Sequence, residues 1–139
     1  MSIYAKEIEI DTQGNTDIID VTGKVSDVLK ETEVETGICL IFTPSSTSGL
    51  TTIEYEPGCV QDLRTVFERI VPSSGNYAHN ARWGDGNGHS HIRAAILGAS
   101  VTIPVQNHQL VLGMWQQIIL VDFDVRPRRR RLQVQILGN

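Results

Sequence analysis

Three of the four histidines in this chain fall within thirteen residues, at His79, His89 and His91, in a segment that also carries Asp85 and Asn87. Imidazole titrates near neutral pH and is the commonest metal ligand, so no other stretch concentrates as many proton-transfer and metal-binding groups. Residues two apart share a face of a strand but point away from each other on a helix. Asn87 as a cap and Gly98 as a stop predict a short helix between them, so only one of His89 and His91 should face a site shared with His79. His91 is the better placed, because Ala95 one turn later leaves room for close packing. A divalent metal, zinc above all, held by His79 and His91 with a carboxylate or water completing the set, is the expected cofactor. Gly84, Gly86 and Gly88 would let the backbone approach a ligand, or serve as ordinary turn residues.

Other candidates lie elsewhere in the chain. Ser45, Ser46 and Thr47 open a hydroxyl-rich loop ending at Gly49, a pattern that holds phosphate oxygens and equally describes an exposed turn. Glu54 follows on an expected strand and reads either as a metal ligand or base, or as a solvated edge residue. Trp115 begins a run that is apolar on both parities, the mark of a central strand, which makes Gln116 and Gln117 partly buried amides in need of partners. In the last strand, parity with Leu132, Val134 and Ile136 puts Arg128 and Arg130 on the core side, where they suit phosphate or carboxylate, or else act as charges protecting an edge.

The elements that must position these residues follow from periodicity. Residues 3–10 and 17–22 read as strands joined through Gln13, Gly14 and Asn15, so the chain is expected to open with a hairpin. Val25, Val28 and Leu29 give a helix stopped by Gly37, and residues 38–42 and 50–55 are strands. Pro57 opens a second helix with the stripe Val60, Leu63, Phe67 and Ile70. Residues 73–88 form a long polar loop, and after the short helix come strands at 100–106, 109–112, 115–124 and 129–137, with a turn at Asn107 and His108. The expected class is α+β: one domain over residues 1–139, a largely antiparallel sheet and two to three helices.

Composition narrows the partners. A length of 139 residues, 40% hydrophobic and 20% charged, is that of one globular domain. No apolar run approaches the ~20 residues a bilayer span needs, and the opening residues alternate charged with apolar, so no membrane partner and a cytoplasmic location are expected. The net charge of −4 disfavours nucleic acid despite the five arginines between Arg126 and Arg131. Cys39 and Cys59 have no metal or redox spacing and read as structural thiols.

Taken in order, the motifs from Ser45 to Glu54, Tyr77-x-His79, Asp85-Gly-Asn87, His91-Ile-Arg-Ala, Leu112-Gly-x-Trp115-Gln116-Gln117 and Pro127-Arg-x-Arg resemble the YjbQ-like family, also called the secondary thiamine-phosphate synthase family. The resemblance spans nearly the whole chain. It implies a homotrimer with a pocket near the subunit interface, often beside a metal, built from Glu54, His79, Asp85, Asn87, His91, Trp115, Gln116 and Arg128. Ser45 stands where many members carry a histidine, a vacancy that His89 fills only if the helix begins later. The implied activity joins an aminopyrimidine diphosphate to a thiazole phosphate with release of pyrophosphate. In that case Arg128, Arg130 and the loop hydroxyls would bind a phosphorylated small-molecule substrate, Glu54, Asp85, His79 and His91 would handle metal or protons, and magnesium would be the alternative to zinc. The alternative function is metal or phosphometabolite binding without turnover.

Overall fold

Ile118 to Val121 expose essentially nothing, so the strand that holds them must be covered on both faces. The computed structural model, which describes residues 1–139, shows what covers it. In chain order the elements are β1 (Ser2–Thr12), β2 (Asp17–Asp20), α1 (Thr22–Lys30), β3 (Thr36–Phe42), β4 (Ser48–Ile53), α2 (Pro57–Ile70), α3 (Ala78–Trp83), α4 (Gly88–Leu97), β5 (Ser100–Gln106), β6 (Gln109–Leu110), β7 (Gln117–Asp122) and β8 (Arg128–Gly138). They build one α+β domain with two antiparallel sheets, ordered β1-β8-β3-β5-β6 and β2-β7-β4.

The two parities of β7 feed two cores. Ile118 and Leu120 face the large sheet and pack with Ile41, Val105, Leu132 and Ile136, while α1 adds Val25, Val28 and Leu29. Ile119, Val121 and Phe123 face the other way, toward Val60 and Phe67 of α2 and Ala94 of α4. Phe67 meets Phe123 edge to face with centroids 4.9 Å apart. The stack is therefore large sheet, small sheet, then α2 and α4, with α1 packed into the first core. Burying about a dozen aliphatic side chains of ~1.5 to 3 kcal/mol each supplies the driving force for this layering.

Both cysteines are free, and burial pushes the Cys39 thiol up to about 11, which leaves it protonated and inert. Asn107 and His108 turn with φ of 53° and 59°, the mirror-image turn that a tight hairpin demands.

Four expectations need correction. β1 and β2 do not form a hairpin: β1 pairs with β8 over eleven rungs and β2 pairs with β7, so the turn after Thr12 carries the chain from one sheet to the other. There are four helices, not two or three; α3 lies inside the segment expected to be loop and buries no residue, so no apolar stripe announced it. β4 ends at Ile53, leaving Glu54 exposed beyond it. β7 starts at Gln117, leaving Trp115 68% exposed and Gln116 in a turn whose side chain bonds to Gly113 and Thr52 rather than entering the core.

The connection from β7 to β8 crosses between the sheets, and Arg130 of β8 grips the fully buried Asp122 with two bonds, Nε to Oδ2 at 2.7 Å and Nη2 to Oδ1 at 2.8 Å. Removing one partner of such a pair strands the other charge away from water. Asp122→Ala is expected to cost about 3 to 5 kcal/mol in urea unfolding, against under ~1 for exposed Arg129→Ala on the same strand. Equal losses would mean that the crossing does not depend on this pair.

Candidate functional site

α3 and α4 meet because Gly88, the first residue of α4, has no side chain: a Cβ there would stand 2.5 Å from Tyr77 Cβ. Gly84 and Gly86, at φ of 71° and 69°, turn the chain between the helices in the left-handed region where glycine is favoured. This tight return sets His79 of α3 beside His91 of α4, with ring centroids 4.5 Å apart.

The groups around His79 fix its chemistry. Its Nε2 lies 3.2 and 3.3 Å from the two Asp85 oxygens and 3.0 Å from the Asn87 side chain. With the Asn87 nitrogen turned toward Asp124 the bond to that carboxylate is long, at 3.4 Å. Turned the other way, the nitrogen donates to both Asp85 oxygens at 3.0 and 3.1 Å and to His79 Nε2 at 3.0 Å. We assign the second orientation because it gives both Asp85 oxygens a donor. Asn87 precedes α4 as expected, but its side chain makes no capping bond and is spent on the site instead.

Behind the histidines runs a buried polar network. Asp124, 2% exposed, accepts from Arg128 Nε and Nη2 at 3.0 and 2.7 Å and from the Thr47 hydroxyl at 3.3 Å. Arg130 also donates to Ser45 Oγ at 2.9 Å and to Thr47 Oγ1 at 2.8 Å. Ser45 and Ser46 share a cleft of about 370 Å³ with His91 and Ala95, so the hydroxyl loop does reach the histidine side of α4.

The structure therefore gathers His79, Asp85, Asn87 and His91, with Ser45, Ser46, Thr47, Arg128 and Arg130 alongside. Arg128 and Arg130 do face inward, but their guanidiniums are paired with Asp124 and Asp122 and are not open forks for a phosphate. Glu54, Trp115 and Gln116 are not brought in. They lie past the far end of the β4–β7 pair, whose rungs run from Ser48–Asp122 to Ile53–Gln117, a separation of roughly 17 Å at the usual strand rise.

His89 is also elsewhere. It sits across α4 from His91, 5% exposed, in the wall of another cleft. The metal set His79, His89 and His91 is thus not formed, for the helical reason that residues two apart diverge. No three His, Cys, Asp or Glu side chains are arranged to hold an ion.

Asp122 and Asp124 had not been singled out from the sequence. Their signal was present as nested spacing: Asp122-x-Asp124 and Arg128-x-Arg130 pair as 124 with 128 and 122 with 130 about the crossing connection.

A two-sheet α+β domain with a histidine cluster at one end of its central strand is the class these observations define. The sequence profile of the family described as UPF0047 protein YjbQ-like matches residues 6–139, and the chain belongs to that family. It is 38% identical over 138 residues to a UPF0047 protein of Methanothermobacter thermautotrophicus, covering 99% of this chain and 94% of that one. The UPF0047 protein YugU of Bacillus subtilis is 33% identical over 96% of this chain and 98% of its own. A crystal structure of a YbjQ-like protein of unknown function from Sulfolobus solfataricus superposes with a TM-score of 0.94 at 33% identity, covering 99% of both chains.

These names overturn the expected thiamine-phosphate synthase activity. The relatives carry uncharacterised-family names, and the Sulfolobus neighbour is described as being of unknown function. The commitment of both candidate arginines to buried carboxylates points the same way, since a departing diphosphate needs uncommitted positive charge.

Burial alone would raise Asp124, but the bonds from the Val125 amide and Arg128, with the charge of that guanidinium, outweigh it and hold the carboxyl below its ordinary 3.8. A carboxyl depressed in the folded state adds stability above its unfolded pKa, and that stability is lost as pH falls through the lower folded value. Acid unfolding of wild type should therefore steepen below about pH 4, and Arg128→Ala should flatten it. Unchanged steepness in that variant would show that Asp124 is not held ionised by Arg128.

Proposed function

We propose that His79 and His91 form a centre that takes a divalent cation between their imidazoles and acts on a small phosphorylated substrate. The observation that carries this reading is the pair of rings 4.5 Å apart, with Asp85 and Asn87 both within hydrogen-bond reach of His79 Nε2. Two imidazoles at that spacing can turn toward one ion with bonds near ~2.1 Å, and Asp85, 48% exposed and adjacent, can supply a carboxylate oxygen. When bound, the cation would polarise a substrate oxygen or lower the pKa of a bound water. The chain's own contribution is orientation: Asp85 and Asn87 fix the His79 ring, and Ser45 and Ser46 offer hydroxyls on the His91 side.

The reading extends to three copies of the chain. Glu54, Trp115 and Gln116 share the family motif with the histidines yet stand at the other end of a rigid strand pair, so they join this centre only from a neighbouring copy. The exposure of Met114 at 81% and Trp115 at 68% favours that arrangement, because large apolar side chains beside each other in water are characteristic of contact surfaces.

Two measurements test the proposal. Elemental analysis after purification without chelator should find about one zinc per chain in wild type and His89→Ala, and little in a His79→Ala/His91→Ala double variant; equal content in all three would remove the metal. Light scattering at micromolar concentration should give the trimer mass, with Trp115→Ala shifting material toward monomer. A monomeric wild type would confine the centre to the residues of a single chain.

A further inference from the structure

On the far side of α4 lies a cleft of about 560 Å³ between α2, α4 and the turn from β1 to β2, with no apolar side chain in its lining. Three guanidiniums line it, those of Arg64, Arg69 and Arg93, against one carboxylate, Glu68. That carboxylate is already engaged by Arg93 Nη2 at 2.8 Å and by the Ser73 amide at 2.9 Å. Arg93 forms the buried floor, 4% exposed, and also binds the Val71 carbonyl and the Thr16 hydroxyl. Arg64 uses only Nε, on the Thr16 carbonyl at 3.0 Å, which leaves its terminal nitrogens free. The cleft thus holds an excess of positive charge with open donors at the rim.

His89 supplies the second observation. It is 95% buried in this wall, and its Nδ1 is sealed from solvent without a hydrogen-bond partner, the one buried side-chain nitrogen or oxygen in the chain left so. Burial, and after it the neighbouring Arg93 charge, lower its pKa, and no ion pair accounts for its unmet polar atom. Buried polar groups are nearly always satisfied, and an orphan in an arginine-lined cleft implies a missing acceptor or donor.

We propose that this cleft is an oxyanion site for the phosphoryl group of a small, strongly polar molecule, with Arg64 and Arg69 as the contacting forks and His89 as the buried positioning group in the wall behind them. The site is separate from the His79–His91 centre and independent of the reading given for it. Guanidinium forks match phosphate oxygens in pairs, and the absence of apolar lining disfavours ligands that bind by stacking.

Calorimetry with pyrophosphate and with citrate separates the possibilities. Pyrophosphate should bind wild type and the His79→Ala/His91→Ala variant equally within twofold, and bind Arg69→Ala at least tenfold more weakly. His89→Phe keeps the ring and removes the nitrogens, so it should weaken binding at least fivefold while melting no lower than wild type; a merely structural histidine would lower the melting temperature instead. Arg131→Ala, on the opposite sheet, should leave affinity unchanged. The proposal is overturned if neither anion gives heat at millimolar concentration, if the His79/His91 variant loses the binding, or if Arg131→Ala weakens it as much as Arg69→Ala. Citrate binding as tightly as pyrophosphate would overturn the phosphoryl assignment.

Discussion

The histidine-bearing end of this molecule depends on two buried carboxylates at the end of one strand. Asp122 is fully buried and Asp124 nearly so, and desolvating an ionised carboxylate costs several kcal/mol unless it is met by opposite charge and hydrogen bonds. The chain meets both from the strand that follows. Arg130 takes Asp122 in a forked contact, with Thr12 adding its hydroxyl and the Asp124 amide donating at 3.0 Å, and Arg128 takes Asp124. Because β7 and β8 belong to different sheets, satisfying these charges also fixes how the two sheets meet at that end.

The histidine centre inherits its position from that junction. Thr47 and Ser45 are held by Arg130, and Asn87 lies between Asp124 on one side and Asp85 with His79 on the other. A half-satisfied member of a side-chain network of this kind would be costly in the low dielectric of the interior. The arginines therefore act on the site through position. They are the reason the hydroxyl loop stands where it does, and their charge is spent before any ligand arrives.

Periodicity made much of this legible in the sequence. Period two places Arg128 and Arg130 inward, the apolar run of β7 marks a strand covered on both faces, and the helical angle between His89 and His91 separates them. What escaped were features set by other elements. β1 left its expected partner because β8 offered eleven rungs with arginines opposite Glu9 and Asp11, and sheet partnership is decided by such long-range matches. α3 has no buried stripe and forms only because the return of α4 at Gly88 closes against it. Glu54 and Gln116 looked half-buried by parity, but both strands stop short of them, and parity says nothing about where a strand ends.

The helix α4 is the partition on which both faces turn. His89 and Arg93, one turn apart, look toward α2, while His91 and Ala95 look toward the hydroxyl loop. Between the histidines Ser90, fully buried, donates its hydroxyl to the Phe123 carbonyl on the segment leaving β7, and Ala94 one turn later packs in the same core as Phe123. A slip of one residue would turn every α4 side chain by about 100°, breaking the Ser90 bond and bringing His89 or His91 to its place. The Ser90–Phe123 contact therefore sets the register of the helix, and one register assigns each imidazole to its own environment: His91 to a half-open cluster of hydroxyls and carboxylate, His89 to a dry wall among arginines. Two histidines a single residue apart thus acquire unrelated chemistry from the pitch of the helix and one buried hydroxyl.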